Sequence, residues 1–330
     1  MNILITGANG FVGSALCQQL VSASQPQPLD KIYAVSRLPL PLLTSSSRPP
    51  IVESVTISSL AKLASSEELL SQVDCVIHLA ARVHQMEDRT SNPLSMFRSV
   101  NTEATYNLAK ASAQCGVRRF IYLSSIKVNG EGHSDRRPYT EADVAQPVDP
   151  YGQSKQEAEV LLQQLSKETS LETVILRPPL VYGPQVKANF LQLIELVQKG
   201  LPLPFRLVDN ARSLVFVGNL VDAIITCMTH PDAVNQTFLL SDGQDLSTPN
   251  LIRHLANALH RPCRLLPLPP NLLYLLGHLT GKTATINRLL SSLVVDSTKI
   301  QTLLHWHPPF TATEGLQATA NWYLQSKSTP

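Results

Sequence analysis

Tyr151 and Lys155 stand four residues apart in "YGQSK", and on a helix that spacing puts both side chains on one face. An ammonium beside a phenol favours the phenolate. The pair is therefore expected to lower the tyrosine pKa and to supply a proton donor or acceptor near neutrality. An exposed helix start is the ordinary alternative, since Tyr and Lys often meet at this spacing. A third group points toward chemistry: Ser124 and Ser125 follow the apolar run 120–123, and a hydroxyl at the end of a strand can hydrogen-bond a carbonyl oxygen. Far upstream, "ITGANGFVG" sets Gly7, Gly10 and Gly13 between an apolar run and a helical pattern. Glycine carries no Cβ, so the turn can tighten. The backbone of Gly7, Asn9, Gly10, Phe11, Val12 and Gly13 can then meet a pyrophosphate where the helix dipole favours an anion. A turn that only packs closely is the plainer reading, but its position after a first strand and before a helix suits a dinucleotide site.

Residues 7, 125 and 151 meet only if a scaffold gathers them. Short apolar or β-branched runs at 3–5, 32–35, 75–79, 120–123 and 173–176 read as strands buried on both faces. Helical spacing at 12–21, 97–115 and 153–165 separates them. Alternating strand and helix predicts βαβ units with right-handed crossovers, hence an α/β fold with a Rossmann-type doubly wound parallel sheet, whose ligands bind at the carboxyl ends of the strands. The Pro/Ser-rich stretch 39–50 reads as an irregular loop. After Arg177 prolines multiply, and strand-like pieces at 214–217 and 237–240 mix with helices. The organisation expected is a dinucleotide-binding domain over 1–176, rejoined by a segment near 210–242, and a smaller C-terminal α/β substrate domain over 177–330.

Composition narrows the partners. The 330 residues carry a formal charge of +2 and no long Lys/Arg run, which argues against nucleic acid and an anionic membrane. Cys17, Cys75, Cys115, Cys227 and Cys263 are odd in number and form no C-x-x-C pair, so reduced thiols in the cytoplasm are expected, with neither a disulfide framework nor a metal site. Apolar stretches such as 272–276 are too short to span a bilayer.

The motifs "TGANGFVG", "HLAA" at 78–81, "SSIKVNG" at 124–130, "YGQSK", "RPPLVYGP" at 177–184, "SLVFVGNLVDA" and "LVVDSTKIQTLLHWHPP" together resemble an extended short-chain dehydrogenase/reductase of the nucleotide-sugar epimerase/dehydratase branch. The resemblance implies that Tyr151 exchanges the proton, that Lys155 also holds a nicotinamide ribose, and that Ser125 orients the reacting oxygen. The resemblance prefers Ser125 to Ser124, because Ser125 stands three residues before the Val of "VNG", where the family's S-x-x-V-Y-G pattern places its catalytic hydroxyl. Asn101, in "SVNTEATYNLA", matches an active-site asparagine, with a solvent-facing helix residue as its alternative. Leu79, Ala80, Ala81 and Pro178 fall where the family holds its cofactor. A homodimer through the helices at 97–115 and 153–165 is also implied.

Family 4,6-dehydratases carry an Asp-Glu pair just after the catalytic hydroxyl; Ile126 and Lys127 stand there in this chain, which disfavours dehydration. A 4-epimerase and a 4-keto reductase remain. The second strand ends at Ser36-Arg37, where users of NAD place an acidic residue, and a guanidinium there suits the 2′-phosphate of NADP. NADP(H) is expected, with NAD(H) as the alternative, and with it net reduction. For the substrate, Lys127, Asn189, Phe190 and Arg212 match positions that hold the sugar nucleotide. His84, just past "HLAARV", lines the sugar site or is a structural histidine. Leu180 replaces a family asparagine that meets the substrate. The first expectation is therefore reduction of the 4-keto group of a UDP-6-deoxy-N-acetylhexosamine, as in a bacterial surface-polysaccharide subgroup the motifs resemble. UDP-sugar 4-epimerisation comes second. A non-catalytic dinucleotide-binding protein comes last, because such relatives lose the Tyr or the Lys.

Overall fold

Seven parallel strands run in the order β3-β2-β1-β4-β5-β6-β9: β1 Asn2–Thr6, β2 Lys31–Ser36, β3 Ile51–Thr56, β4 Cys75–His78, β5 Arg119–Leu123, β6 Glu172–Arg177 and β9 Gln236–Leu239. This computed structural model describes residues 1–22, 28–39, 50–83, 93–133, 135–281 and 283–328. Alternate residues of each central strand feed different cores, which is why the runs are continuously apolar. Ile3 and Ile5 pack with Leu16 and Leu20 of the helix Phe11–Ser22, whereas Leu4 packs with Leu108 and Leu162 on the opposite face. Helices Ala104–Gln114 and Pro150–Glu168 cover that second face. Strand order reverses between β1 and β4, so the loops after them open a crevice at the carboxyl edge.

Three departures from the sequence reading have physical causes. Strand β3 went unseen because it is an edge strand, mostly exposed, joined to β2 through backbone pairing from Lys31↔Ile51 to Ser36↔Thr56. Most of the predicted loop 39–50 lies outside the described residues. The helix expected over 97–115 is an α-turn at Pro93–Phe97, a π-helical segment at Arg98–Glu103 and an α-helix at Ala104–Gln114, a change in hydrogen bonding that apolar spacing does not register. The helix carrying Tyr151 begins at Pro150 rather than 153, since Asp149 caps it and proline suits its first position.

Beyond Arg177 the chain builds a second, two-stranded parallel sheet from β7 Leu180–Tyr182 and β8 Leu214–Phe216, then returns to the main sheet as β9 beside β6. Tyr182, Phe190 and Phe216 stack there, continuous with the core under β1. Asp242 holds this region together by accepting from Tyr182 Oη (2.8 Å), Phe216 N (2.8 Å) and Asn219 Nδ2 (2.7 Å). All five cysteines are free thiols.

Candidate active site

The glycines of the first turn divide by role. Gly7 has φ +71°, and a Cβ on it would lie 2.9 Å from Ala80 N; a Cβ on Gly13 would lie 2.1 Å from Gly7 O. These two close the turn onto the strand β4 loop and onto itself. Gly10 is exposed, and its Cβ would meet only Gly7 O, at 3.0 Å. The ladder of the helix Phe11–Ser22 opens with Ser14 N donating to Gly10 O (2.9 Å), so the amides of Phe11, Val12 and Gly13 precede it. A bare backbone at Gly10 beside an exposed Asn9 and unladdered amides fits a pyrophosphate. The neighbouring loop is tied down separately: Leu79 N donates to Thr6 O (3.2 Å) and Ala80 N to Thr6 Oγ1 (3.2 Å). Ala81 follows, partly buried, and Pro178 O accepts from Ile126 N (3.0 Å) across the sheet edge. At the end of β2, the buried Ser36 hydroxyl donates to Leu38 O, and Arg37 is exposed with no ion pair among the described residues.

Ser125 leaves β5 in an extended conformation and caps the short turn Ile126–Val128, its hydroxyl accepting from Lys127 N (3.2 Å). That hydroxyl also acts on the Tyr151 phenol, whose pKa it draws down. Its neighbour Ser124 turns inward and donates to Glu159. Tyr151 lies in the first turn of its helix, with its ring edge against Phe97. Burial pushes its phenol up to about 12, Asp149 adds to the rise and the Ser125 hydroxyl opposes it. The expected lowering by Lys155 is thus overturned: the Lys155 Nζ is 5.9 Å from the Tyr151 ring centroid, and desolvation raises the phenol. Lys155 itself is buried, donates to Leu123 O (2.8 Å) and sits 4.5 Å over the Tyr122 ring. Burial brings its ammonium down to about 7, and the Glu159 carboxylate works against that fall.

Asn101 is fully buried rather than facing solvent. Its Oδ1 accepts from Arg82 N (2.8 Å), while Nδ2 donates to Arg82 O (3.0 Å) and Ser154 Oγ (3.1 Å). It pins the loop after β4 to the helix of Tyr151, and the π-helical segment places it there. Sequence reasoning missed the group beneath Lys155. Glu159 continues the Tyr151–Lys155 face by another four residues and accepts from Arg177 Nε (3.0 Å), while Arg177 Nη1 donates to Asn129 Oδ1 (2.9 Å). The further i+4 step was the available signal.

Candidate substrate groups are spread across both sheets. Lys127 Nζ pairs with Glu131 (2.9 Å) and with Asp149, the cap of the Tyr151 helix. Asn189 is exposed, whereas Phe190 is only 4% exposed and its ring stacks on Tyr182 in the core. Arg212 Nη1 donates to Arg288 O (2.9 Å), Ser291 O (3.1 Å) and Ser291 Oγ (3.0 Å). Burial lowers its pKa, and no carboxylate among the described residues pairs with it. A cation steadied by carbonyls in this way keeps its charge available to an anion. Leu180 is 47% exposed at the start of β7. His84 lies outside the described residues.

A family model, the NAD dependent epimerase/dehydratase family, matches residues 3–240. The chain belongs to that family. It is 43% identical over 332 residues to a UDP-glucose 4-epimerase of Vibrio cholerae, covering 99% of this chain and 97% of that one. It is 26% identical to an N-acetyl-α-D-glucosaminyl-diphospho-ditrans,octacis-undecaprenol 4-epimerase of Escherichia coli O157:H7, over 97% and 95% of the two chains. Among solved structures, MoeE5 in complex with UDP-glucuronic acid and NAD superposes with a TM-score of 0.77 at 25% identity, covering 99% of this chain and 100% of that one. The protein is thus an enzyme of the nucleotide-sugar epimerase/dehydratase kind, of the extended short-chain dehydrogenase/reductase type. No helix among the described residues is long and apolar enough to cross a membrane.

Proposed function

We propose that this enzyme interconverts the two C4 epimers of a UDP-sugar, with Ser125, Tyr151 and Lys155 at the reacting centre. The observation that carries the reading is the near end-to-end 43% identity to a UDP-glucose 4-epimerase, in a chain that keeps this triad. A nicotinamide dinucleotide, when bound, would take up a hydride and return it; the turn Gly7–Gly13, Leu79–Ala81 and Pro178 would hold it, with Lys155 at its ribose. The protein handles the proton. Epimerisation begins at a hydroxyl: Tyr151 as phenolate takes the C4 hydroxyl proton while a hydride leaves C4, a form that burial opposes and the Ser125 hydroxyl favours. When the carbonyl becomes a hydroxyl again, the Tyr151 phenol returns the proton, and the neighbouring Ser125 hydroxyl orients the same oxygen. Arg212 meets the substrate diphosphate, for which a charge-assisted guanidinium is suited. Elimination of water lacks a base after Ser125, because Ile126 is buried and Lys127 is engaged by two carboxylates.

Arg37 favours a second reading, in which the enzyme reduces a 4-keto UDP-6-deoxy-N-acetylhexosamine with NADPH. One assay separates the two. Purified enzyme given UDP-glucose or UDP-GlcNAc should yield the C4 epimer without added reductant, and Tyr151→Phe should slow it by roughly 10²-fold or more. Stoichiometric NADPH consumption with a 4-keto sugar, reduced roughly ten- to a hundredfold in affinity by Arg37→Ala, would replace epimerisation by reduction. Absence of both activities would leave only dinucleotide binding.

A further inference from the structure

The overall charge of +2 conceals a long one-sided segment. From Leu246 to Val295 the sequence contains no Asp or Glu, yet it carries Arg253, Arg261, Arg264, Lys282 and Arg288. The four arginines are exposed, and none of them makes an ion pair with a described carboxylate. Within this segment lies the helix Pro270–Leu279, whose sequence PNLLYLLGHL is almost wholly apolar. Only Leu273 and Gly277 of it are buried. Gly277 permits a close crossing with the helix Thr283–Leu290, since a Cβ there would lie 3.0 Å from Ile286 Cγ1. The other face is bare: Leu272 is 40% exposed, Leu275 53%, Leu276 43% and Leu279 74%. Their spacing of i, i+3, i+4 and i+7 makes one continuous leucine stripe. Scattered exposed leucines need no explanation, but four on one helix face, in a stretch of sequence without a negative charge, do.

We propose that the leucine stripe of the helix Pro270–Leu279, flanked by the arginines of this carboxylate-free segment, docks the enzyme on the surface of an anionic lipid bilayer. An in-plane helix of this kind buries its leucines at the headgroup–acyl boundary while guanidiniums meet anionic headgroups. A single helix of 10 residues suffices for that, although it is far too short to span. Charge decides between a bilayer and a second copy of this chain. A self-contact would bring the arginines of two carboxylate-free segments together with no carboxylate of their own to oppose them, whereas an anionic surface complements them. The hairpin also abuts the candidate site, because Arg212 Nη1 is held by Arg288 O and Ser291 at its end. Docking would therefore set the substrate cleft close to the headgroups. The inference does not depend on whether the enzyme epimerises or reduces.

Flotation of the purified full-length protein with vesicles tests it. Vesicles containing about one part in three phosphatidylglycerol should carry the protein up, whereas phosphatidylcholine alone should not. Binding should weaken from about 0.1 M to about 1 M NaCl, as the Debye length shortens from about 10 Å to about 3 Å. Leu275→Ser with Leu279→Ser, and separately Arg261→Glu with Arg264→Glu, should each reduce binding roughly tenfold while melting temperature and turnover in solution stay at the wild-type value. These side chains are exposed, so the fold does not rest on them. Failure to float with either vesicle, or flotation indifferent to both double variants, overturns the proposal. So does a dimer in sedimentation velocity that the leucine variants dissociate, which would assign the stripe to a second copy.

Discussion

At the residue scale, the three glycines of the first turn look equivalent in sequence and are not equivalent in space. Gly13→Ala would drive a methyl group to 2.1 Å from a backbone oxygen of the same turn, which nothing flexible can relieve. It should destabilise the fold by about 1–3 kcal/mol, read as a lower urea midpoint. A Cβ at Gly10 meets only Gly7 O, at 3.0 Å, and the branched side chain of Gly10→Val would stand where the pyrophosphate is proposed to approach. That variant should keep its urea midpoint while losing affinity for NAD and NADP alike by calorimetric titration. If Gly10→Val binds like the wild type, the turn serves packing alone. Ser124 and Ser125 diverge in the same manner: adjacent hydroxyls, one bonded to a buried carboxylate and the other accepting from Lys127 N and drawing down the pKa of the Tyr151 phenol.

At the scale of elements, the helix Pro150–Glu168 lines up Tyr151, Lys155 and Glu159 along one face, and β6 supplies Arg177 to the last of them. The pair is buried, at 9% and 3% side-chain exposure, so removing one charge leaves the other desolvated and alone. Glu159→Gln should therefore cost about 3–5 kcal/mol in unfolding free energy. A change in the pH profile would show that Glu159 does more than hold the fold. Glu159 favours the charged form of Lys155, so its loss should carry the Lys155 pKa below about 7. If activity needs the ammonium, the limb of kcat/KM that falls with rising pH should move to lower pH. An unmoved limb would confine Glu159 to a structural part.

For the whole molecule, His78 links the sheet to its covering helix and makes stability depend on pH. Its Nδ1 lies 2.7 Å from Thr6 Oγ1 and its Nε2 2.9 Å from Thr105 Oγ1. Burial, assisted by the Lys155 charge, brings its pKa from 6.5 down to about 3. Between those values the unfolded chain binds a proton that the folded chain refuses, so stability is complete above about pH 6.5 and falls as pH drops toward 3. At pH 5 this one group should account for about 2 kcal/mol of lost stability. Urea unfolding at pH 7.5 and pH 5 should show a loss larger by that amount in the wild type than in His78→Gln. Equal losses would mean that the histidine is not what resists the proton.

The alternation of apolar runs and helical spacings was enough to establish the doubly wound sheet and five of its strands, because a strand buried on both faces has to be apolar throughout. Glycine spacing and the Tyr151–Lys155 interval likewise marked the candidate site, since each follows from local geometry. Which reaction comes first did not follow from that: the sequence reading put 4-keto reduction ahead on the strength of Arg37, whereas the relatives favour 4-epimerisation. Only the tertiary structure decided the rest. Edge strand β3 depends on a neighbour's backbone, the π-helical segment on the place where Asn101 has to reach, and the Glu159–Arg177 pair on residues 18 positions apart meeting in the core. The direction in which Tyr151 shifts depends on how completely the fold removes water from it. The bare leucines of Pro270–Leu279 show as bare only once every other element has chosen its partner.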